Sequence, residues 1–119
     1  MWRCYEVVKK ISDFLEKPLD NREIVKSGAV LGEVILIEDA HFRKGIEGTY
    51  VSIYFRFADD VEKKPYCWNT SSNVIMDQIR ILKDKGAFDD DEPVVAKVIK
   101  RRNEKGLKYY VLVDPDEEE

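Results

Sequence analysis

Histidine, cysteine, glycine and proline are all scarce in this chain, and each scarcity removes a class of function. The single histidine, His41, and the two cysteines, Cys4 and Cys67, are scattered and form no CxxC pair, so neither a zinc site nor a disulfide framework is expected. No serine or cysteine stands in a nucleophile-elbow sequence or beside a recognisable histidine and acid, so the chain is not expected to be an enzyme. The glycines at 28, 32, 45 and 48 match neither a P-loop nor a dinucleotide fingerprint and are assigned to backbone geometry. No apolar run is long enough to cross a bilayer, and Met1-Trp2-Arg3-Cys4-Tyr5-Glu6 lacks the basic-then-apolar layout of a secretion signal. An intracellular, cytoplasmic protein without metal, cofactor or membrane partner is the expectation.

What the chain has in quantity is charge, unevenly placed. At 119 residues it forms one domain, expected over residues 1–113, with a disordered acidic tail over 114–119. The formal charge of −4 argues against a polyanionic partner until its distribution is considered. Asp89-Asp90-Asp91-Glu92 and the tail acids Asp114, Asp116, Glu117, Glu118 and Glu119 hold nine carboxylates, and setting them aside turns −4 into +5. Residues 94–110 carry six basic residues, Lys97, Lys100, Arg101, Arg102, Lys105 and Lys108, against one acid, Glu104. Steering depends on the local field within roughly 10 Å, and there this segment is strongly positive. The acidic loop at 89–92 lacks the ligand periodicity of a calcium loop and is taken as solvated.

Apolar spacing sets the element order. Val7, Val8, Ile11, Phe14 and Leu15 make a helical stripe over residues 6–17, ended by Pro18. Residues 24–37 suggest one long strand, kinked at Gly28 and Gly32. Residues 40–49 are expected to be a loop carrying His41, Phe42, Arg43 and Lys44. Two aromatic strands follow, over 50–57 and 65–70. A helix capped within 70–73 carries Val74, Ile75, Gln78, Ile79 and Leu82 and stops at Gly86. Strands over 94–101 and 107–113, joined by a loop of hairpin length, end the domain.

This order predicts a mainly β protein with two helices, a five-stranded OB-fold-like Greek-key barrel with an N-terminal helix and a second helix between strands three and four. The alternative is an open antiparallel sheet packed on two helices. Within the second strand, Val51, Ile53, Phe55 and Phe57 alternate with Tyr50, Ser52, Tyr54 and Arg56, giving a core face and a face suited to stacking bases. In the third strand, Tyr66, Trp68 and Thr70 are expected to point outward beside Tyr54 and Arg56. The opposite orientation would bury them and turn Cys67 and Asn69 outward.

The run Tyr66-Cys67-Trp68-Asn69-Thr70-Ser71-Ser72-Asn73-Val74-Ile75-Met76-Asp77-Gln78-Ile79, with Arg101-Arg102-Asn103-Glu104-Lys105-Gly106-Leu107-Lys108-Tyr109-Tyr110, resembles small OB-fold single-stranded-DNA-binding-like proteins of phages, archaeal viruses and plasmids. The resemblance covers some four-fifths of the chain, and the acidic loop at 89–92 departs from it. It implies a viral or mobile-element protein of replication, working in a host cytoplasm if viral. The tail is similar to the acidic C-termini of bacterial single-strand-binding proteins but lacks their aromatic tip, and a solvating tail is the plainer reading.

The expected function is therefore binding of single-stranded nucleic acid, DNA before RNA, with little sequence preference. Tyr54, Arg56, Tyr66 and Trp68 would stack bases, while Arg43, Lys44, Lys97, Lys100, Arg101, Arg102, Lys105 and Lys108 would contact phosphates. The rival is a protein-interaction or assembly module, in which the same aromatic residues form a protein patch and the N-terminal helix packs between subunits of a homo-oligomer.

Overall fold

The computed structural model describes residues 22–90 and 92–117. The helix expected over 6–17, and any subunit contact made through it, lies outside the described residues. Alternating apolar residues build six strands, β1 (Glu23–Val25), β2 (Val34–Gly45), β3 (Gly48–Phe57), β4 (Tyr66–Thr70), β5 (Val94–Arg102) and β6 (Lys108–Val113). Among the described residues two helices accompany them, the single turn α1 (Ser27–Val30) and the amphipathic α2 (Asn73–Asp84). The strands form one sheet in the order β1-β4-β3-β2-β5-β6, antiparallel throughout except for the parallel pair β1–β4.

One face of this sheet is the core. Ile35 and Ile37 of β2, Val51, Ile53 and Phe55 of β3, Trp68 of β4, Val98 of β5 and Leu112 of β6 pack together under Ile75, Met76 and Ile79 of α2. Fully burying each large apolar side chain contributes roughly 1.5–3 kcal/mol. The sheet curls around this core: Trp68 and Tyr110 lie on β4 and β6, four strand steps apart, yet their rings meet edge to face at 6.3 Å. A flat sheet would hold them about 19 Å apart at the usual strand spacing. α2 begins and ends as its sequence predicts, with Ser72 Oγ accepting from the Ile75 N–H at 3.4 Å. Gly86, at φ +73°, lets the Ala87 N–H reach back to the Leu82 carbonyl.

The expected closed five-stranded barrel is not what forms. The segment 24–37 is not one kinked strand: Ile24 belongs to β1, residues 27–30 make a helical turn, and Gly32, at φ +81°, redirects the chain into β2. β1 then lies parallel along the outer edge of β4, pairing Glu23 with Tyr66, Ile24 with Cys67 and Val25 with Trp68. That occupies the edge a barrel needs for closure. At the far side, the Gln78 side chain of α2 covers the edge of β6, donating to the Leu112 carbonyl at 2.8 Å and accepting the Leu112 N–H at 2.9 Å. The result is an open, mixed six-stranded sheet, nearer to the open-sheet alternative than to the barrel.

Residues 40–45, expected in a loop, continue β2 to Gly45. A register shift between Ile37 and Asp39 inserts Glu38 as a bulge. Ile37 and Ala40, three apart, therefore both face the core, and the broken alternation hides the strand. Among the described residues no helix is long and apolar enough to cross a membrane.

Candidate nucleic-acid interface

The orientation of β4 decides which aromatic residues are accessible. Trp68 sits opposite Ile53 and is fully buried, with its indole N–H donating to Ser27 Oγ at 2.9 Å. Tyr66 packs on the same face, 5.9 Å from Phe55 and 5.2 Å from Phe57 by ring centroids. The expectation that Tyr66, Trp68 and Thr70 point outward is thus reversed, because the indole and phenol bury more apolar surface in the core than Cys67 and Asn69 would. Cys67 and Asn69 occupy the opposite face, and Asn69 settles its amide by accepting from Ser52 Oγ at 2.6 Å.

That opposite face is also less available than its residue types suggest. Tyr54 is only 8% exposed, its hydroxyl accepts from Arg43 Nη2 at 2.9 Å, and its ring lies 5.3 Å from the His41 ring. Arg56 donates from Nε to Glu38 Oε2 at 2.8 Å and from Nη1 to the Lys63 carbonyl. Arg22, unnoticed in the sequence, closes the other side of the same carboxylate at 2.6 Å and donates to the Tyr66 carbonyl at 3.1 Å. Burial pushes the Glu38 carboxyl up, but the hydrogen bonds and charges of Arg22 and Arg56 outweigh it and hold the group below the ordinary glutamate range. Arg43, Tyr54 and Arg56 are thereby tied into an internal polar network.

The β5–β6 hairpin is arranged differently. Asn103 fixes its turn, with Oδ1 accepting from the N–H groups of Lys105 and Leu107 at 2.9 and 3.0 Å, and Gly106 supplies φ +82°. Cross-strand register then sets Arg102 directly opposite Lys108, with Lys105 in the turn, all three exposed. Like charges placed opposite each other disfavour the strand pair. No carboxylate among the described residues lies within ion-pair distance of these three or of Lys44 and Lys100. Lys100 rests 5.2 Å from the centre of the Tyr110 ring. Lys97 and Arg101 instead meet Glu117, whose carbonyl accepts from Lys97 at 3.2 Å and whose carboxylate pairs with Arg101 at 3.0 Å.

Of the sequence candidates, then, Lys97, Lys100, Arg101, Arg102, Lys105 and Lys108 are brought together on one hairpin. Lys44 is exposed on the separate β2–β3 hairpin. Sequence reasoning missed an open cleft of about 550 Å³ where β3 outruns β4, lined by residues 45–50 and 69–71. Its one legible signal is length, since β3 has 10 residues and β4 only 5. Among the described residues no group of three or more His, Cys, Asp or Glu side chains could hold a metal ion. Compared with known proteins, the chain matches no family model, no curated protein and no solved structure.

Proposed function

We propose that the protein binds single-stranded nucleic acid, DNA in the first instance, through phosphate contacts made by the β5–β6 hairpin. One observation carries this reading: Arg102, Lys105 and Lys108 form an exposed cationic cluster without carboxylate partners among the described residues, and it includes a like-charge cross-strand pair. A cluster that weakens its own hairpin is explained by an external anion that neutralises it. Regularly spaced cations on a two-stranded ribbon suit a flexible phosphate backbone. Trp68 takes no part, and Tyr66 contributes only to the core.

The test is a fluorescence-anisotropy titration of a mixed-sequence single strand across a salt series. Each phosphate contact lowers the log–log salt slope by about 0.7 for single strands. Combined reversal of Arg102, Lys105 and Lys108 to Glu is expected to weaken binding at least about 100-fold at low salt and to flatten the slope by about 2. Absence of binding by the unmodified protein at low salt, or an affinity indifferent to the triple reversal, overturns the reading.

A further inference from the structure

The cleft beside the β2–β3 turn has a chemistry unlike the basic hairpin. β4 ends at Thr70, opposite Val51, while β3 continues through residues 48–50 beside β2 alone. On that side the peptide groups of β3 past Val51 have no strand partner among the described residues. Tyr50 lies against Gly45, where an added Cβ would come within 3.3 Å of its ring, so the glycine makes room for the phenol to lie along the hairpin. Asn69 is exposed, but its Oδ1 accepts from Ser52 Oγ at 2.6 Å and Cys67 Sγ at 3.6 Å. Those two donors occupy the oxygen, and no described residue accepts from the Nδ2 group, which leaves its hydrogens to a ligand. Ser71 adds an exposed hydroxyl, and Glu47 is the one charged residue of the lining among the described residues.

A phosphate is poorly matched to such a site, whose described lining holds a carboxylate and no cation. A flat, uncharged ring edged with donors and acceptors matches it well. We propose that this cleft takes one unstacked base of the bound strand, its face on Tyr50 and its edge hydrogen-bonded by Asn69 and the unpaired peptide groups of β3. The proposal rests on the nucleic-acid reading and adds a base contact to its phosphate contacts. Stacking on Tyr50 is sequence-tolerant, because every base has a π-face.

A mixed-sequence single strand and an abasic strand of the same length carry the same phosphates and differ only in bases. By anisotropy at low salt, the unmodified protein is expected to bind the intact strand about tenfold more tightly, within the range seen for one stacked base. Tyr50→Ala should abolish that preference without changing affinity for the abasic strand, and Tyr50→Phe, which keeps the ring, should retain it. Equal affinity of the unmodified protein for the two strands, with binding still lost on the triple hairpin reversal, overturns the base site and leaves the phosphate reading standing. A preference that survives Tyr50→Ala also overturns it, and failure of both strands to bind overturns both proposals. The two-strand comparison needs no variant, so a misfolded Tyr50→Ala chain leaves the proposal testable.

Discussion

The β3–β4 pair and the β5–β6 hairpin contain the same residue types, aromatic rings interleaved with arginine and lysine, and use them in opposite ways. In β3–β4 the rings of Phe55, Tyr66 and Trp68 face the core, and Arg56 closes on Glu38. In β5–β6 the cations of Arg102, Lys105 and Lys108 face solvent without a carboxylate among the described residues. Composition does not separate a structural arginine from a binding one. Partner accounting does: a guanidinium already bonded to a carboxylate must break that pair before it can hold a phosphate.

The sharpest way to break this comparison is Trp68→Ala. If Trp68 were a stacking platform, its loss would leave stability almost untouched. Buried as it is, with its indole N–H on Ser27, its truncation should lower unfolding free energy by about 3–5 kcal/mol, seen as a large drop in urea midpoint. An unfolding free energy within about 0.5 kcal/mol of the unmodified protein would put Trp68 back among surface residues.

Next in size is Glu38→Gln, which removes the carboxylate from between Arg22 and Arg56. Arg22 is only 10% exposed, so the charge of Glu38 is removed from beside it where water replaces it poorly. Glu38 is 34% exposed, and solvent screening reduces the expected loss to about 1–2 kcal/mol, below that of a fully buried pair. Because the folded carboxyl lies below its unfolded value, the stabilisation is present above the ordinary glutamate range, near pH 4.3. It is lost as pH falls through the folded value. The unmodified protein should therefore lose stability on acidification below about pH 4.5, while Glu38→Gln follows a flatter course there. Parallel urea titrations at several pH values check this, and coincident slopes would remove Glu38 from the account.

Which parts of this were legible in the sequence follows from how far each signal reaches. α2 was legible because its cap, stripe and Gly86 stop are all local, and β3 because strict alternation puts Val51, Ile53 and Phe55 on one face. β2 was not, since the bulge at Glu38 shifts its alternation and masks residues 40–45 as a loop. The short α1 and the three-residue β1 hold too few positions for any period to show. Barrel closure is a question about partners: only the pairing of β1 with β4 reveals that the closing edge is already occupied. The cationic hairpin was visible as a charge run. Arg22 was not, because its carboxylate lies 16 residues away and meets it only through the curled sheet.

Arg102→Gln gives the smallest effect and the cleanest contrast with Glu38→Gln. Removing one member of the like-charge pair with Lys108 relieves repulsion across the hairpin, so stability should rise by a few tenths of a kcal/mol. Affinity for a single strand should fall a few-fold, with the log–log salt slope flattened by about 0.7. Stability and binding thus move in opposite directions at Arg102, whereas at Glu38 stability falls and the salt slope stays where it was. Only a residue whose folded environment is unfavourable, and whose ligand makes up for it, behaves in the first way. If Arg102→Gln instead lowers both stability and affinity, Arg102 stabilises the native hairpin as Arg56 stabilises the sheet, and the distinction between the two regions disappears.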